Sequence, residues 1–385
     1  MRTRRHALLV LSTGHAASDL VQGAVPAMLP FMVEQRGLSY GAAAGLLLAA
    51  SAASSIVQPL FGLVSDRVHA AWMMPLGGAL GGIGIALAGW AGSYPATLLA
   101  LLVAGLGVAA FHPEAARFAG YAAEGRAAGM STFSVGGNIG FALGPILTVP
   151  LALAFGLRGM IGIAVVTALA ALLLMRELPA LEHLRPPAER RAGAQLGADR
   201  WGAFSLIAGA GALRTGVTFA LQAFIPLFVI DRLGGSEAVG AAAVAVLLLA
   251  GAVGTLAGGR IADSFGHRRL VVWSLVVCVP LCLVLPAAGV VALFLLMAAI
   301  GLATDANYAT IIVLGQACLP SRVGVASGIT IGLSVGLGAA CAWLLGVLAD
   351  NASLVAALHG TTVVAAAAAV LAIAVPRDVG RRVPA

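Results

Sequence analysis

The stretch Gly62-Leu-Val-Ser-Asp66-Arg67 ends a long apolar run, and Gly259-Arg-Ile-Ala-Asp263 ends another one later in the chain. Both stretches contain the pattern Gly-x-x-x-Asp, and both precede a basic turn. The two aspartates are 263 − 66 = 197 residues apart, which is about half of the 385-residue chain. This interval indicates a chain that is built twice from one structural plan.

The composition excludes a water-soluble fold. Hydrophobic residues make up 61% of the chain and charged residues 10%, with a mean hydropathy of +1.02, whereas a soluble domain is about a quarter charged. The bilayer must therefore act as the solvent for most of the surface. The formal net charge of +7 does not indicate a nucleic-acid partner, because the arginines lie in turns between apolar runs.

The apolar runs predict twelve membrane-spanning helices, since a span needs about 20 mostly apolar residues. The predicted spans cover residues 7–33, 40–64, 71–91, 95–119, 125–155, 157–175, 202–230, 238–261, 270–288, 290–314, 322–349 and 353–375. The longest polar segment, 176–200, predicts a cytoplasmic linker between an N-terminal six-helix bundle (1–175) and a C-terminal six-helix bundle (201–385). The expected fold class is an all-α membrane protein with two pseudo-symmetric bundles.

Arginine placement predicts the orientation in the membrane. Only Arg36, Arg158 and Arg232 lie at or beside the turns on one side, whereas the termini, the linker and the alternate turns with their adjoining span ends carry the other arginines except Arg214. Because positively charged turns stay in the cytoplasm, both termini are expected to be cytoplasmic.

The two halves also match outside the opening motif. Arg126 falls opposite Arg322 at an offset of 322 − 126 = 196 residues. Glycines recur at every fourth position in the fifth and eleventh predicted spans, which makes a flat ridge on one face of each helix. Such a ridge is consistent with static close packing, and it is also consistent with a contact along which two helices slide. The presence of matched ridges in both halves favours the sliding contact. The glycines are Gly136, Gly140 and Gly144 in one half, and Gly324, Gly328, Gly332 and Gly336 in the other.

With its two halves and paired Gly-x-x-x-Asp motifs, the chain resembles the major facilitator superfamily over essentially its whole length. Gly140-Phe-Ala-Leu-Gly144-Pro145 is similar to the antiporter motif of drug exporters in that superfamily. A second exporter motif matches less well, because Leu101 stands where that motif has a proton-linked arginine.

Two further motifs resemble a narrower branch. Gly14-His15-Ala-Ala-Ser-Asp19-Leu-Val-Gln22-Gly23 and Phe111-His112-Pro113-Glu114 are similar to the fosmidomycin-resistance branch, which is associated with export of a small phosphonate antibiotic. The resemblance implies the major facilitator fold, alternating access, a bacterial inner-membrane location and a monomer.

Polar residues inside apolar spans are the candidate functional groups, because charges there are costly and usually face a cavity or a partner. His15, Asp19 and Gln22 share one face of the first predicted helix at spacings of four and three residues. Asp19 and Arg214 are expected at similar depth in the two halves. Either they form a permanent ion pair, or Asp19 competes with an anionic substrate for Arg214 and takes up a proton when the substrate binds.

A second polar group lies in the fourth and tenth predicted spans. Pro113 is expected to kink the helix between His112 and Glu114. These two residues form either a proton path or inner gate, or a polar cluster in which Glu114 meets Arg117. Asp305 and Asn307 occupy the matching stretch of the other half. They are expected to face the cavity, although Asp305 could instead cap a helix kink.

The motif residues are expected to act as gates. Family resemblance implies that Asp66 and Asp263 join charge networks, with Asp66 meeting Arg126 and Asp263 meeting Arg322; plain surface solvation is the alternative. The full set of expected gating residues is Gly62, Asp66, Arg67, Arg126, Gly140, Gly144, Pro145, Gly259, Asp263 and Arg322.

Together these features predict a proton-coupled antiporter that exports a small polar or anionic compound or drug, or else a metabolite importer or facilitator on the same fold. Expected proton-coupling residues are Asp19, His15, His112 and Glu114, and expected substrate contacts are Gln22, Arg214, Asn307 and Asp305. The expected partners are the substrate, protons and lipid. An enzyme is not expected, because the chain has no His-Glu-x-x-His and no phosphate-binding loop of the P-loop type. No cofactor or metal is expected either.

Overall fold

A computed structural model describes residues 2–68, 70–186 and 197–379, and these residues are nearly all helical, with no strand among them. The α-helices, numbered here in chain order, are α1 Arg2–Arg36, α2 Tyr40–Ser55, α3 Gln58–Arg67, α4 Met73–Trp90, α5 Tyr94–Ala123, α6 Ala127–Phe155, α7 Ile161–Glu182, α8 Trp201–Leu233, α9 Glu237–Phe265, α10 His267–Val284, α11 Val290–Ala306, α12 Tyr308–Cys318, α13 Val323–Ser327, α14 Ser334–Asn351 and α15 Leu354–Ala374.

Eleven helical stretches of the described chain are long and apolar enough to cross a membrane. The longest, Ala127–Glu182, includes two of the predicted spans, because α6 and α7 are separated only by the 3-10 turn Gly156–Met160. Helix α7 continues to Glu182, past residue 175 where the sixth span was expected to end. The predicted linker therefore begins as helix. Its residues 187–196, like His69 of the first basic turn, lie outside the described part of the chain.

Three predicted spans are not uniform α-helices. The second divides into α2 and α3 just before Pro59, whose ring lacks an N–H and disfavours helix in the preceding residue. The tenth divides at Asn307, between α11 and α12. The eleventh contains a π-helical segment, Gly328–Leu333, between α13 and α14. Such local departures from α-helix often occur at functional sites.

Local signals explain where several helices begin. The hydroxyls of Ser39, Ser93, Ser236 and Ser353 each accept a hydrogen bond from the backbone N–H three residues later, at 3.0–3.4 Å. These bonds satisfy N–H groups that the first helical turn leaves unpaired. Serine caps visible in the sequence thus mark four of the helix starts.

The described chain forms two compact units. Unit 1 comprises Met1–Glu124, Thr132–Gly197 and Pro320–Leu333, and unit 2 comprises Gly125–Ser131, Ala198–Leu319 and Ser334–Ala385. The core of unit 1 is built by apolar residues of α1, α4 and α5, such as Leu20 and Leu101. The core of unit 2 centres on α8, α9, α11 and α15, with Leu221 and Met297 among its members.

Large apolar side chains also cover the outside of the helices. Leu153, Leu249 and Trp343 are each at least two-thirds exposed. A soluble protein does not expose so much apolar surface, whereas a helix in lipid loses nothing by it.

Glycine ridges let helices approach within unit 1. The Cα of Gly140 faces the backbone of Ala16, and Gly144 faces the backbone of Gly23, so a β-carbon at either α6 position would collide with α1. Because both obstacles are backbone atoms, they cannot rotate away. The ridge therefore serves close packing of α6 on α1; whether the helices also slide stays a prediction.

Candidate functional site

In unit 1, the carboxylate of Asp19 lies between two imidazoles. Its Oδ2 is 3.3 Å from Nε2 of His15, one helical turn earlier, and its Oδ1 is 3.0 Å from Nε2 of His112 on α5. The amide of Gln22 donates to Oδ1 at 2.9 Å. Both histidine side chains are almost fully buried, whereas Asp19 remains 15% exposed. Three of the four predicted proton-coupling residues thus meet in one place.

The second ring nitrogen of each histidine restricts the hydrogen-bonding states that its contact with Asp19 can adopt. Nδ1 of His15 lies 2.8 Å from the carbonyl of Phe133, and Nδ1 of His112 lies 2.8 Å from the carbonyl of Val108. A carbonyl oxygen only accepts hydrogen bonds, so each Nδ1 must carry a hydrogen. Each Nε2 therefore faces Asp19 either as a bare lone pair or as part of an imidazolium. Since a lone pair and a carboxylate repel each other, a hydrogen between the two groups would make each contact favourable.

The neighbouring residues leave room for this cluster. Gly137 on α6 lies directly over it, and a β-carbon there would come within 2.5–2.6 Å of His15 Nε2 and Asp19 Oδ2. The ring of Phe133 stacks on His15 with centroids 4.2 Å apart. The donor atoms of His15, Asp19 and His112 all lie within 4.8 Å of one another, a spacing that could also hold a metal ion. No spacing in the sequence indicates this group of three, because His112 lies on α5 whereas His15 and Asp19 lie on α1.

Glu114, the fourth predicted proton-coupling residue, belongs to a separate cluster in unit 1. Its side chain is fully buried and accepts hydrogen bonds from the Ser65 hydroxyl and from Arg185 at 3.5 Å, and it pairs with Arg117 at 3.4 Å. The expected Glu114–Arg117 contact is therefore present. Helix α5 continues without a break through Pro113, the residue between His112 and Glu114.

Arg185 was not expected at this site. It follows α7, in the segment predicted to be a cytoplasmic linker, yet its side chain is 5% exposed and lies over the ring of Phe118 at 5.3 Å. Burial alone would lower the pKa of its guanidinium, but the hydrogen bond and charge of Glu182, together with the charge of Glu114, raise this pKa above its usual value. Arg185 therefore remains a cation. Its burial had no signal in the sequence.

The motif aspartates cap helices. In unit 1, Asp66 pairs with Arg117 and accepts from the N–H groups of Gly324 at 2.7 Å and Val325 at 2.9 Å, at the start of α13. A carboxylate at a helix N-terminus satisfies unpaired N–H groups and complements the positive end of the helix dipole. Gly62 makes this approach possible, because its Cα faces the Gly324 backbone.

In unit 2, Asp263 makes the equivalent contacts. It accepts from the N–H groups of Ala127 at 2.9 Å and Ala128 at 3.1 Å, at the start of α6, and lies 3.1 Å from His267. Gly259 again faces the capped segment, against Ser131 and the carbonyl of Ala127.

The helix starts that the two aspartates cap differ from the segments that were expected to meet them. Asp66 was expected to meet Arg126, and Asp263 was expected to meet Arg322. Asp66 caps the helix that follows Arg322, and Asp263 caps the helix that follows Arg126. The partners are mainly backbone N–H groups, which carry no signature in the sequence.

Arg214 has a counter-ion within its own unit. In unit 2 the guanidinium pairs with Asp305 of α11, donates to the Thr215 hydroxyl at 3.0 Å and lies 5.0 Å from the ring of Tyr308. Asp19 and an anionic substrate were the two expected candidates for its counter-ion; within unit 2 the counter-ion is Asp305, on a helix that packs in the same unit as α8. Nε of Arg214 is buried and has no hydrogen-bond partner among the described residues.

The side chain of Asn307 is buried between helices and takes part in their packing. Its side chain is fully buried at the break between α11 and α12, and its amide donates to Ser274 of α10 at 2.8 Å. Its side-chain oxygen has no partner within the described chain. Asp305, by contrast, is 20% exposed at its ion pair with Arg214, so it is the more accessible of the two predicted contacts.

Comparison with known proteins identifies the family. The model of the Major Facilitator Superfamily matches residues 11–342. The chain is 30% identical to the uncharacterized MFS-type transporter YfnC of Bacillus subtilis (strain 168), over 90% of this chain and 87% of that protein. It is 29% identical to the fosmidomycin resistance protein of Escherichia coli (strain K12), over 92% and 88%.

Solved structures agree on the fold. The crystal structure of FucP, a major facilitator transporter in the outward conformation, superposes with a TM-score of 0.74 at 14% identity, covering 96% of this chain and 98% of that one. The resemblance to this superfamily and to its fosmidomycin-resistance branch is confirmed. The protein is therefore a multi-pass membrane protein that belongs to the Major Facilitator Superfamily of transporters.

Proposed function

We propose that the protein is a proton-coupled antiporter that exports a small polar or anionic compound from the bacterial cytoplasm. Twelve spans would form two six-helix halves, residues 1–175 and 201–385, that alternate in access around a central site. The relationship to a fosmidomycin resistance protein supports efflux. The observation that carries the proposal is the position of Asp19 between two imidazoles whose Nδ1 atoms are already occupied.

The proton would reside in the Asp19 contacts. When the cluster is protonated, the charged or shared hydrogens hold His15 and His112 against the carboxylate. When the proton leaves, the lone pairs on the two Nε2 atoms repel the carboxylate, and Gln22 remains its donor. Loss of the proton thus loosens α1 from α5, which is a physical link between protonation and helix position.

The substrate would act on the other ion pair. An anionic group that reaches Arg214 competes with Asp305, because one guanidinium face cannot serve both acceptors fully. The unpartnered Nε of Arg214 offers a further donor. Gln22 and Asn307 remain proposed contacts for polar groups of the substrate. Asn307 would first have to give up its hydrogen bond to Ser274.

The capped helices would form the gate. Asp66 and Asp263 hold helix starts through two N–H groups each, and the arginine distribution puts this end of the helices on the cytoplasmic side, with both termini. Arg67, Arg126 and Arg322 flank these contacts in the sequence. Gly140, Gly144 and Pro145 would shape the face along which α6 moves. The carrier is proposed to work as a monomer.

The test is proton release from proteoliposomes with an imposed pH gradient, measured with an entrapped pH-sensitive dye while fosmidomycin, organic acids and cationic drugs are supplied in turn. An exporter of the proposed kind moves protons opposite to one of these compounds, and Asp19→Asn abolishes that movement. Glu237→Gln, at an exposed carboxylate at the start of α9, serves as the matched control. Undiminished proton-linked flux in Asp19→Asn refutes the coupling role.

The same assay addresses the importer alternative. Protons and substrate that move in the same direction indicate a symporter, and substrate flux without proton movement indicates a facilitator. Either result would leave the fold assignment intact and would overturn antiport.

A further inference from the structure

The segment after α7 connects to the gate of unit 1 through a chain of buried charges. Arg185 contacts Glu114 at 3.5 Å, Glu114 contacts Arg117 at 3.4 Å, and Arg117 pairs with Asp66. Asp66 in turn caps Gly324 and Val325. Every link in this chain has a side chain that is at most 6% exposed, so solvent screens these charges little.

Arg117 stands at the centre of this chain and serves two carboxylates. Its Nη1 lies 3.4 Å from Glu114 and donates to the carbonyl of Ser65 at 2.7 Å, while its Nη2 donates to Asp66. How closely Arg117 approaches Asp66 depends on how strongly Glu114 attracts it. A buried carboxylate without sufficient cationic partners is strongly destabilised, so Glu114 draws on whatever cation remains within reach.

Arg185 supplies the second cation that Glu114 requires. Turn hydrogen bonds hold the segment in place, and one of them joins the Arg185 N–H to the carbonyl of Glu182. The Glu182 carboxylate at 3.1 Å and the ring of Phe118 fix the guanidinium itself. The side chain is therefore positioned by the end of α7 and by Phe118 of α5.

We propose that Arg185 is a positioning residue for the gate: by neutralising Glu114, it leaves Arg117 free to hold Asp66 against the start of α13. Without Arg185, Glu114 pulls Arg117 towards itself and the Asp66 cap weakens. The segment between the two proposed halves thereby becomes part of the gating network. The importance of this network for transport rests on the proposed function, whereas its internal coupling does not.

The test compares Arg185→Gln with Arg176→Gln, an exposed arginine on α7, by hydrogen exchange of purified protein in detergent. Amides in the peptide that contains Gly324 and Val325 are expected to exchange at least about tenfold faster in Arg185→Gln. Exchange in α15, which belongs to unit 2, is expected to stay unchanged, and this separates a local effect from general unfolding.

A rescue variant makes the result decisive. Adding Glu114→Gln to Arg185→Gln removes the buried charge that competes for Arg117, so protection of the α13 amides is expected to return. Equal protection in Arg185→Gln and Arg176→Gln would overturn the proposal. Faster exchange that persists in the double variant, or that extends equally to α15, would show a merely structural role and would overturn it as well. None of these outcomes depends on a transport assay.

Discussion

Asp19 of α1 and His112 of α5 are 112 − 19 = 93 residues apart in the chain, yet Oδ1 of the aspartate lies 3.0 Å from Nε2 of the histidine. With His15 on the other oxygen, the contact puts three titratable side chains into the apolar interior of unit 1. Charged groups at such depth carry a large desolvation cost, which favours an arrangement that exchanges a proton.

Replacing His112 with glutamine should separate proton coupling from substrate binding. Glutamine can donate a hydrogen bond to Asp19 but cannot carry the proton, so we expect proton-driven flux to fall about tenfold or more. Exchange of labelled for unlabelled substrate, which needs no net proton movement, should persist. His359→Gln, at an exposed histidine on α15, is the control. If both activities fall together in His112→Gln, the histidine has a role in folding or binding instead.

The Arg214–Asp305 pair should show strong coupling in stability measurements. Arg214→Gln leaves the Asp305 carboxylate without its cation and should cost roughly 3 kcal/mol, the low end for a broken buried pair because Asp305 stays partly exposed. Asp305→Asn added to that variant removes the unpaired charge and should recover most of the loss. Unfolding in denaturant, monitored by helical circular dichroism, measures both. If the losses in unfolding free energy of the two single variants simply add in the double variant, Arg214 and Asp305 do not interact directly.

The two motif aspartates, Asp66 and Asp263, should differ in how much they contribute to stability. Asp263→Ala removes a helix cap and should cost about 1 kcal/mol. Asp66→Ala should cost more, because it also removes a carboxylate partner of Arg117, whose side chain is 4% exposed. The exposed Asp231→Ala provides the baseline, and thermal unfolding in detergent ranks the three variants. Equal losses of stability at positions 66 and 263 would show that the contact with buried Arg117 adds nothing to the contribution of Asp66.

The glycine ridge on α6 should be intolerant of a single methyl group. A β-carbon at Gly140 meets the backbone of Ala16, whereas one at Gly346 on α14 meets no atom within 4 Å. Alanine in an open helical position normally gains up to about 1 kcal/mol over glycine, so Gly346→Ala should be neutral or stabilising. Gly140→Ala should destabilise by at least about 1–2 kcal/mol, since backbone must shift. A stable, fully active Gly140→Ala would show that α1 and α6 are not closely held.

Several features follow from the order of residues alone. The membrane fold follows from runs of about 20 apolar residues, since only internally bonded helices remain stable in lipid. The repeat of Gly62–Asp66 at Gly259–Asp263 and the motifs around His15 and His112 led to the superfamily and its branch, and the comparisons confirmed both. The shared face of His15, Asp19 and Gln22 follows from helix periodicity.

Only the packing of helices settled which charges meet. Asp305 pairs with Arg214, and Asp66 caps the segment after Arg322, because these partners depend on which helices lie side by side within each unit. Arg185 looked like part of a polar linker, yet it is buried against Glu114. Helix periodicity constrains residues that lie a few positions apart. Contacts between residues a hundred positions apart depend on helix approach, which small residues and backbone N–H groups permit without leaving a distinctive pattern in the chain.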